Sequence, residues 1–174
     1  MSALLPTPGQ TVGPFFRYGL EFEGGAELVP PHSPGAIRVT GTVRDGNGDP
    51  VPDALIEIWQ TDAAGAILSR QGSFHRDGQT FTGFGRAHVS DEGVYEFWTL
   101  NPASAFISVI VFARGLMDRL HTRLYLPESA DDAFLATLTP EERATLVATR
   151  TPDGGLHHDI RLQGDGETVF LDFR

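Results

Sequence analysis

The chain has 174 residues, 40% of them hydrophobic, which is enough to bury one core and argues against two domains. Lys and Arg total 13 against 23 Asp and Glu, and the resulting net charge of −10 argues against a nucleic acid partner. The absence of cysteine excludes disulfides and thiolate metal sites.

The first 35 residues differ from the rest of the chain. They contain several of the 12 prolines, have breakers at Gly24-Gly25 and Pro30-Pro31, and follow neither a strand nor a helix period. We predict that residues 1–35 form an arm that packs on a partner subunit and that residues 36–174 form the folded domain. Residues 1–8 have no charged n-region and no apolar stretch of signal length, so we expect a soluble cytoplasmic protein.

From Ala36 onward the sequence has the pattern of β-strands separated by turns. Apolar residues alternate with polar ones from Ile37 to Val43, and Asp45 to Gly48 supplies residues that suit a turn. The run from Phe106 to Ala113 is almost continuously apolar, which predicts a central strand buried on both faces. The other predicted strands are Ala54 to Trp59, a strand that starts near Gly83 to Arg86, Val94 to Trp98, Leu120 to Tyr125, His158 to Leu162 and Thr168 to Phe173.

One region between residues 128 and 148 is predicted to be helical. Thr139 suits the N-cap, Pro140 suits the first helical position, and Glu142 completes a capping box. Short strands, frequent turns and little helix indicate an all-β protein. We therefore predict a β-sandwich of about eight strands with an N-terminal arm and one short helical region near 128–148.

The six histidines do not form a recognisable metal motif. A histidine site needs two imidazoles on one face of a strand or helix, with a third ligand nearby. His157 and His158 are adjacent, so on a strand they point to opposite faces, while His75 and His88 lie in separate segments. The sequence also lacks a nucleophile elbow, a phosphate loop and a dinucleotide fingerprint.

Several segments together resemble the intradiol ring-cleavage dioxygenases. The longest is Gly41 to Asp62, which contains Asp53-Ala54-Leu55-Ile56-Glu57-Ile58-Trp59-Gln60-Thr61-Asp62. The others are residues 9–16, 84–86, 90–97, 112–116, 120–126 and 163–173. The resemblance spans nearly the whole chain, and within the family it is closest to the alpha subunits of heteromeric members that cleave protocatechuate.

The resemblance also implies where ferric iron would be held. Iron-bearing members use two tyrosinates and two histidines, since hard phenolate oxygens stabilise Fe(III). In this sequence Ile67 stands at the first tyrosine position, and the loop of the second tyrosine is shortened to residues 101–104. Phe106 and Ser108 stand at the two histidine positions. We therefore expect this chain to bind no metal and to contain no catalytic residue, with Fe(III) held by a homologous beta subunit.

By the same resemblance, four residues reach into the pocket that holds the partner's iron: Thr11, Gly13, Pro14 and Arg114. Arg114 presents donors in a fixed fork that suits the carboxylate of protocatechuate. Without the resemblance, Arg114 would be read as a surface or salt-bridged arginine and Gly13-Pro14 as an ordinary turn. The implied activity joins protocatechuate and O₂ into 3-carboxy-cis,cis-muconate, a step of the beta-ketoadipate pathway, within a higher-order alpha/beta oligomer.

Two alternatives remain at this point. The chain could be a transthyretin-like binding module without chemistry, or a self-sufficient dioxygenase with a metal site built from His157, His158 or His75. His121 and Arg123 are candidates for a subunit interface, on strand alternation alone. The substrate could also be a related catechol.

Overall fold

The computed structural model describes residues 7–69, 74–129 and 132–173. Its strands are β1 (Ala36–Arg44), β2 (Leu55–Trp59), β3 (Phe84–His88), β4 (Val94–Leu100), β5 (Phe106–Phe112), β6 (Leu120–Tyr125), β7 (Thr149–Arg150), β8 (Leu156–His157) and β9 (Ile160–Arg161). Its helices are α1 (Phe16–Leu20), a 3₁₀ helix (Leu135–Thr137) and α2 (Pro140–Ala144).

The strands form two sheets, as predicted for a β-sandwich. One sheet has the order β4-β1-β8-β7, with β9 also pairing with β1, and the other has the order β3-β2-β5-β6. Along β1 the side chains of Ile37, Val39 and Val43 are buried, because a period of two places them on one face. They pack in a core that also contains Phe97 of β4 and Ile107 of β5.

The turn that the sequence predicts after β1 is present. The Asp45 carboxylate accepts hydrogen bonds from the backbone N–H groups of Asn47 and Asp49 at 2.9 and 3.0 Å. Gly48 has a φ of 89°, which glycine adopts without steric cost. The predicted close approach at the start of β3 is also present, because a Cβ on Gly83 would lie 2.6 Å from the Gln60 carbonyl oxygen.

β5 differs from its prediction. Buried and half-exposed residues alternate along it, so only one of its faces is fully covered. The half-exposed residues include Phe106, Ser108 and Ile110, which line a groove on the outer side of the sheet. Hydrophobicity of the whole run therefore predicted a central strand correctly and the covering of its outer face wrongly.

The segment before β1 packs partly on the domain itself. Leu28 is buried in the core, and its Cδ1 lies 2.4 Å from the position of a Cβ on Gly85, so a side chain at Gly85 would displace Leu28. Arg86 reaches back to the Leu20 carbonyl oxygen at 2.8 Å. The short helix α1 was not predicted. Packing of residues 1–35 on a partner subunit stays a prediction.

The predicted capping box begins α2. The Thr139 hydroxyl accepts from the Glu142 backbone, and the Glu142 carboxylate accepts from the Thr139 backbone. The run 168–173 contains no strand. The Val169 carbonyl accepts from the Thr122 hydroxyl and the Val169 N–H donates to the Thr145 hydroxyl. The Leu171 N–H donates to the His121 carbonyl at 2.7 Å, so the run bonds to several segments in isolated contacts and not along one continuous ladder. None of the helices in the described ranges is long and apolar enough to cross a membrane.

Candidate functional site

The structure brings two of the predicted site residues together. Arg114 follows the buried Ala113 in the loop after β5, and this loop turns at Gly115, whose φ is 91°. The Gly115 N–H donates to the Thr11 hydroxyl oxygen at 2.7 Å, across 104 positions of sequence. The N-terminal segment therefore lies against the loop that carries Arg114.

Arg114 is fixed by an acidic side chain from the loop before β2. Its Nε donates to Asp53 Oδ2 at 2.8 Å, and its backbone N–H donates to the same oxygen at 3.1 Å. The Arg114 side chain is 55% exposed whereas that of Asp53 is 16% exposed. Because Nε is used by Asp53, the terminal Nη1 and Nη2 groups are the part of the guanidinium that can reach a carboxylate.

Gly13 and Pro14 form the exposed turn that leads into α1. The Phe16 N–H donates to the Gly13 carbonyl at 3.2 Å, and no atom lies within 4 Å of a Cβ built on Gly13. The adjacent Phe15 and Tyr18 are 77% and 65% exposed. The ordinary-turn interpretation describes this geometry, and contact of any of the four predicted residues with a substrate stays a prediction.

A groove of about 590 Å³ lies elsewhere, on the outer face of the β3-β2-β5-β6 sheet. Phe106 and Ser108 belong to its lining, and in the ladder Ser108 lies between Trp59 of β2 and Arg123 of β6. The two positions at which the resemblance places histidine ligands are therefore part of this groove. Ile67, at the first tyrosine position, is 75% exposed in the loop after β2.

The residues present do not fit ferric iron. No tyrosine is found among the described residues that line the groove. Tyr95 is buried and donates to the His158 carbonyl, while the Tyr125 hydroxyl bonds to Arg123 and Asp132. Burial raises the pKa of both phenols, which keeps them protonated and opposes phenolate formation.

The histidines proposed for an alternative metal site do not assemble one. Within residues 7–69, 74–129 and 132–173, no three side chains of His, Asp or Glu converge on a metal position. His158 is buried, and its Nε2 lies 3.0 Å from the Thr145 carbonyl, whereas His157 lies 3.2 Å from Asp159. His75 is exposed in the loop before β3.

Two residues of the groove were not predicted as ligand-binding residues. His121 and Arg123 alternate on β6 and both line the groove beside Phe106 and Ser108. The His121 ring accepts a hydrogen bond from Arg119 at 3.0 Å, and its pKa is lowered by burial and by that arginine. The alternating sequence predicts that the two side chains lie on one face of β6. Only the register between β5 and β6 shows which residues lie beside them on that face.

Comparisons with known proteins agree with this fold. A family model described as Dioxygenase matches residues 31–127. The protocatechuate 3,4-dioxygenase alpha chain of Pseudomonas putida is 37% identical over 197 aligned positions that cover 98% of each chain. The protocatechuate 3,4-dioxygenase beta chain of Burkholderia cepacia is 32% identical over 155 positions, which cover 76% of this chain and 66% of that one.

A solved structure supports the same architecture. The dioxygenase domain of a dioxygenase carbohydrate-binding protein fusion from Streptomyces sp. SirexAA-E superposes with a TM-score of 0.56 and 25% identity. The superposition covers 90% of this chain and 96% of that domain. The likeness thus extends beyond residues 31–127.

Proposed function

Because the chain belongs to the intradiol ring-cleavage dioxygenase family, we propose that it is an iron-free alpha subunit of a protocatechuate 3,4-dioxygenase. The Fe(III) of the complex is held by a homologous beta subunit. The heteromer breaks the bond between the two hydroxyl-bearing carbons of protocatechuate, and each carbon receives one oxygen atom of O₂. The product is 3-carboxy-cis,cis-muconate, and the complex assembles as a higher-order alpha/beta oligomer.

One observation carries the proposal. The chain resembles an alpha chain over its full length, yet Ile67, Phe106 and Ser108 stand where iron ligands are expected. An isoleucine and a phenylalanine offer no lone pair, and a serine hydroxyl is a poor substitute for an imidazole. A full-length dioxygenase fold without these donors supports a role as the partner of an iron-bearing subunit.

In the proposed role this chain contributes the charge that holds the substrate carboxylate. Asp53 orients Arg114 through Nε, so that Nη1 and Nη2 can form a forked pair of hydrogen bonds. The Thr11 oxygen accepts from Gly115, which leaves the Thr11 hydroxyl proton available for donation to substrate or water. Gly13 and Pro14 allow the backbone to pass close to the ligand. The iron, when bound by the partner, supplies the activation of substrate and O₂.

The first experiment is co-expression with the beta subunit. We expect iron and protocatechuate-dependent oxygen uptake in the co-purified complex, and neither in this chain expressed by itself. Iron is measured by plasma emission and activity with an oxygen electrode. Stoichiometric iron with turnover in the single chain would contradict the proposal, and a stable single chain that forms no complex would favour the binding module.

The second experiment tests Arg114 in the complex. The Arg114→Gln substitution is expected to lower kcat/KM for protocatechuate by about 10- to 150-fold, the effect of losing hydrogen bonds to a charged group. Catechol has no carboxylate, so any turnover of catechol should change little. Arg38→Gln, a matched substitution on β1, serves as the control. Equal losses with both substrates would show that Arg114 acts on structure and not on the carboxylate.

A further inference from the structure

The groove on the outer sheet face has the chemistry of a ligand site of its own. Its lining includes the aromatic side chains of Trp59, Phe84, Phe106 and Phe173, and its volume of about 590 Å³ is in the range of small-molecule pockets. We propose that this groove binds a planar aromatic carboxylate, with the ring against the aromatic side chains and the carboxylate on Arg123. The inference goes beyond the proposed function, because the site is separate from Arg114 and requires no metal.

Arg123 is held in place by aromatic rings and by one hydroxyl among the described residues. Its guanidinium carbon lies 4.2 Å from the Phe106 ring centre and 5.2 Å from that of Phe134. Nη1 donates to the Tyr125 hydroxyl at 2.8 Å, and Asp132 is reached through that hydroxyl. Among the described residues Arg123 makes no ion pair within 4.0 Å. A preorganised guanidinium, of which only Nη1 donates a hydrogen bond within the described part of the chain, suits a carboxylate.

The one acidic side chain among the described residues of the groove does not oppose an anion. Glu57 accepts a hydrogen bond from Arg86 Nε at 2.8 Å. The two side chains are mostly buried, with 15% of Glu57 and 14% of Arg86 exposed. The negative charge of Glu57 is therefore balanced by Arg86. Since the whole chain carries a net charge of −10, a cation in an aromatic groove gives an organic anion a local attraction that most of the surface lacks.

The groove also favours a ring over an inorganic anion. Trp59 is 48% exposed at the groove, which makes a large flat side chain available for stacking. Ser108, half-buried between Trp59 and Arg123 in the ladder, provides a hydroxyl for a polar ring substituent. Aromatic contact and one cation together define a benzoate-like ligand.

Fluorescence of Trp59 provides the test. The chain has two tryptophans, so Trp98→Phe makes Trp59 the single reporter. The probe is 4-nitrobenzoate, which quenches tryptophan and has no adjacent hydroxyls to chelate iron. We expect saturable quenching of the full chain, with an affinity at least about tenfold weaker for 4-nitrobenzamide and in Arg123→Gln, because each removes the charge-assisted contact.

Two further variants make the result specific. Arg114→Gln should leave the quenching affinity unchanged, which separates this site from the one in the proposed function. If Arg123→Gln does not fold, as judged by circular dichroism, Ser108→Leu fills the groove and should abolish saturable quenching. In the complex with the beta subunit, equilibrium dialysis counts the probe molecules that are bound. Each of the two groove variants should bind one probe molecule fewer per alpha chain than the parent complex. Non-saturating quenching, equal affinity for the amide, or no lost probe in the complex would overturn the proposal.

Discussion

The buried imidazole of His158 should make the stability of the domain depend on pH. Its side chain is covered, its Nε2 bonds to the Thr145 carbonyl, and its Nδ1 has no hydrogen-bond partner among the described residues. Burial is the main cause of its lowered pKa, and the nearby His157 adds to it, while the Thr145 contact and Asp159 act in the opposite direction. Protonation in the folded state would place a charge where water is excluded.

The size of the effect follows from the proton that the unfolded chain takes up. An unfolded histidine titrates near 6.5, so below this pH the unfolded chain binds a proton that the folded chain does not. Stability is then fully present above about pH 6.5 and falls as the pH is lowered. For a group that stays neutral in the fold, the loss between pH 7 and pH 5 reaches at most about 2 kcal/mol.

Urea unfolding measured from pH 5 to pH 8 tests this account. The variant His158→Gln should be less stable at pH 7, through lost packing and a weaker contact to Thr145, by about 1–3 kcal/mol. Its stability should fall less than that of the parent chain between pH 7 and pH 5, by up to about 2 kcal/mol. The exposed His32→Gln variant is the control. Equal pH dependence in the parent and in His158→Gln would refute the reasoning.

Substitutions at three other positions test local contacts of the fold. Gly41→Ala would place a Cβ 1.8 Å from the His158 carbonyl oxygen, and should lower the free energy of unfolding by about 3 kcal/mol or more; an unchanged urea midpoint would contradict the close approach. Thr139→Ala removes the capping box and should cost about 1 kcal/mol, whereas Thr139→Ser should retain most of the stability in the same assay. Glu57→Gln leaves the Arg86 charge without its partner and should cost about 2 kcal/mol, while a loss that high salt abolishes would show that the pair is solvent-screened.

Segments whose structure depends on local patterns could be predicted from the sequence, whereas segments whose hydrogen-bond partners lie far along the chain could not. The alternation in β1 and the capping box at Thr139 are local patterns, and both are present in the structure. The run 168–173 alternates equally well, but its backbone bonds to the hydroxyls of Thr122 and Thr145 and to the His121 carbonyl, and no pattern within the run reveals those partners. The prediction that the outer face of β5 is buried was wrong for a related reason. The hydrophobicity of a strand does not show whether a second layer of structure covers that face of the sheet.

The candidate site was less accessible to sequence reasoning than the fold. The positions Ile67, Phe106 and Ser108 were informative only through the family resemblance, which implies an iron ligand at each of them. The pairing of Arg114 with Asp53 joins residues 61 positions apart, and nothing local predicts it. The environment of Arg123 likewise depends on the register between β5 and β6.

The ladder between β5 and its neighbours has a broader consequence. Main-chain hydrogen bonds define its register, and these bonds do not depend on which side chains stand at the outward positions. In a sheet of this kind, the side chains of one face can therefore differ between relatives while the backbone keeps the same shape.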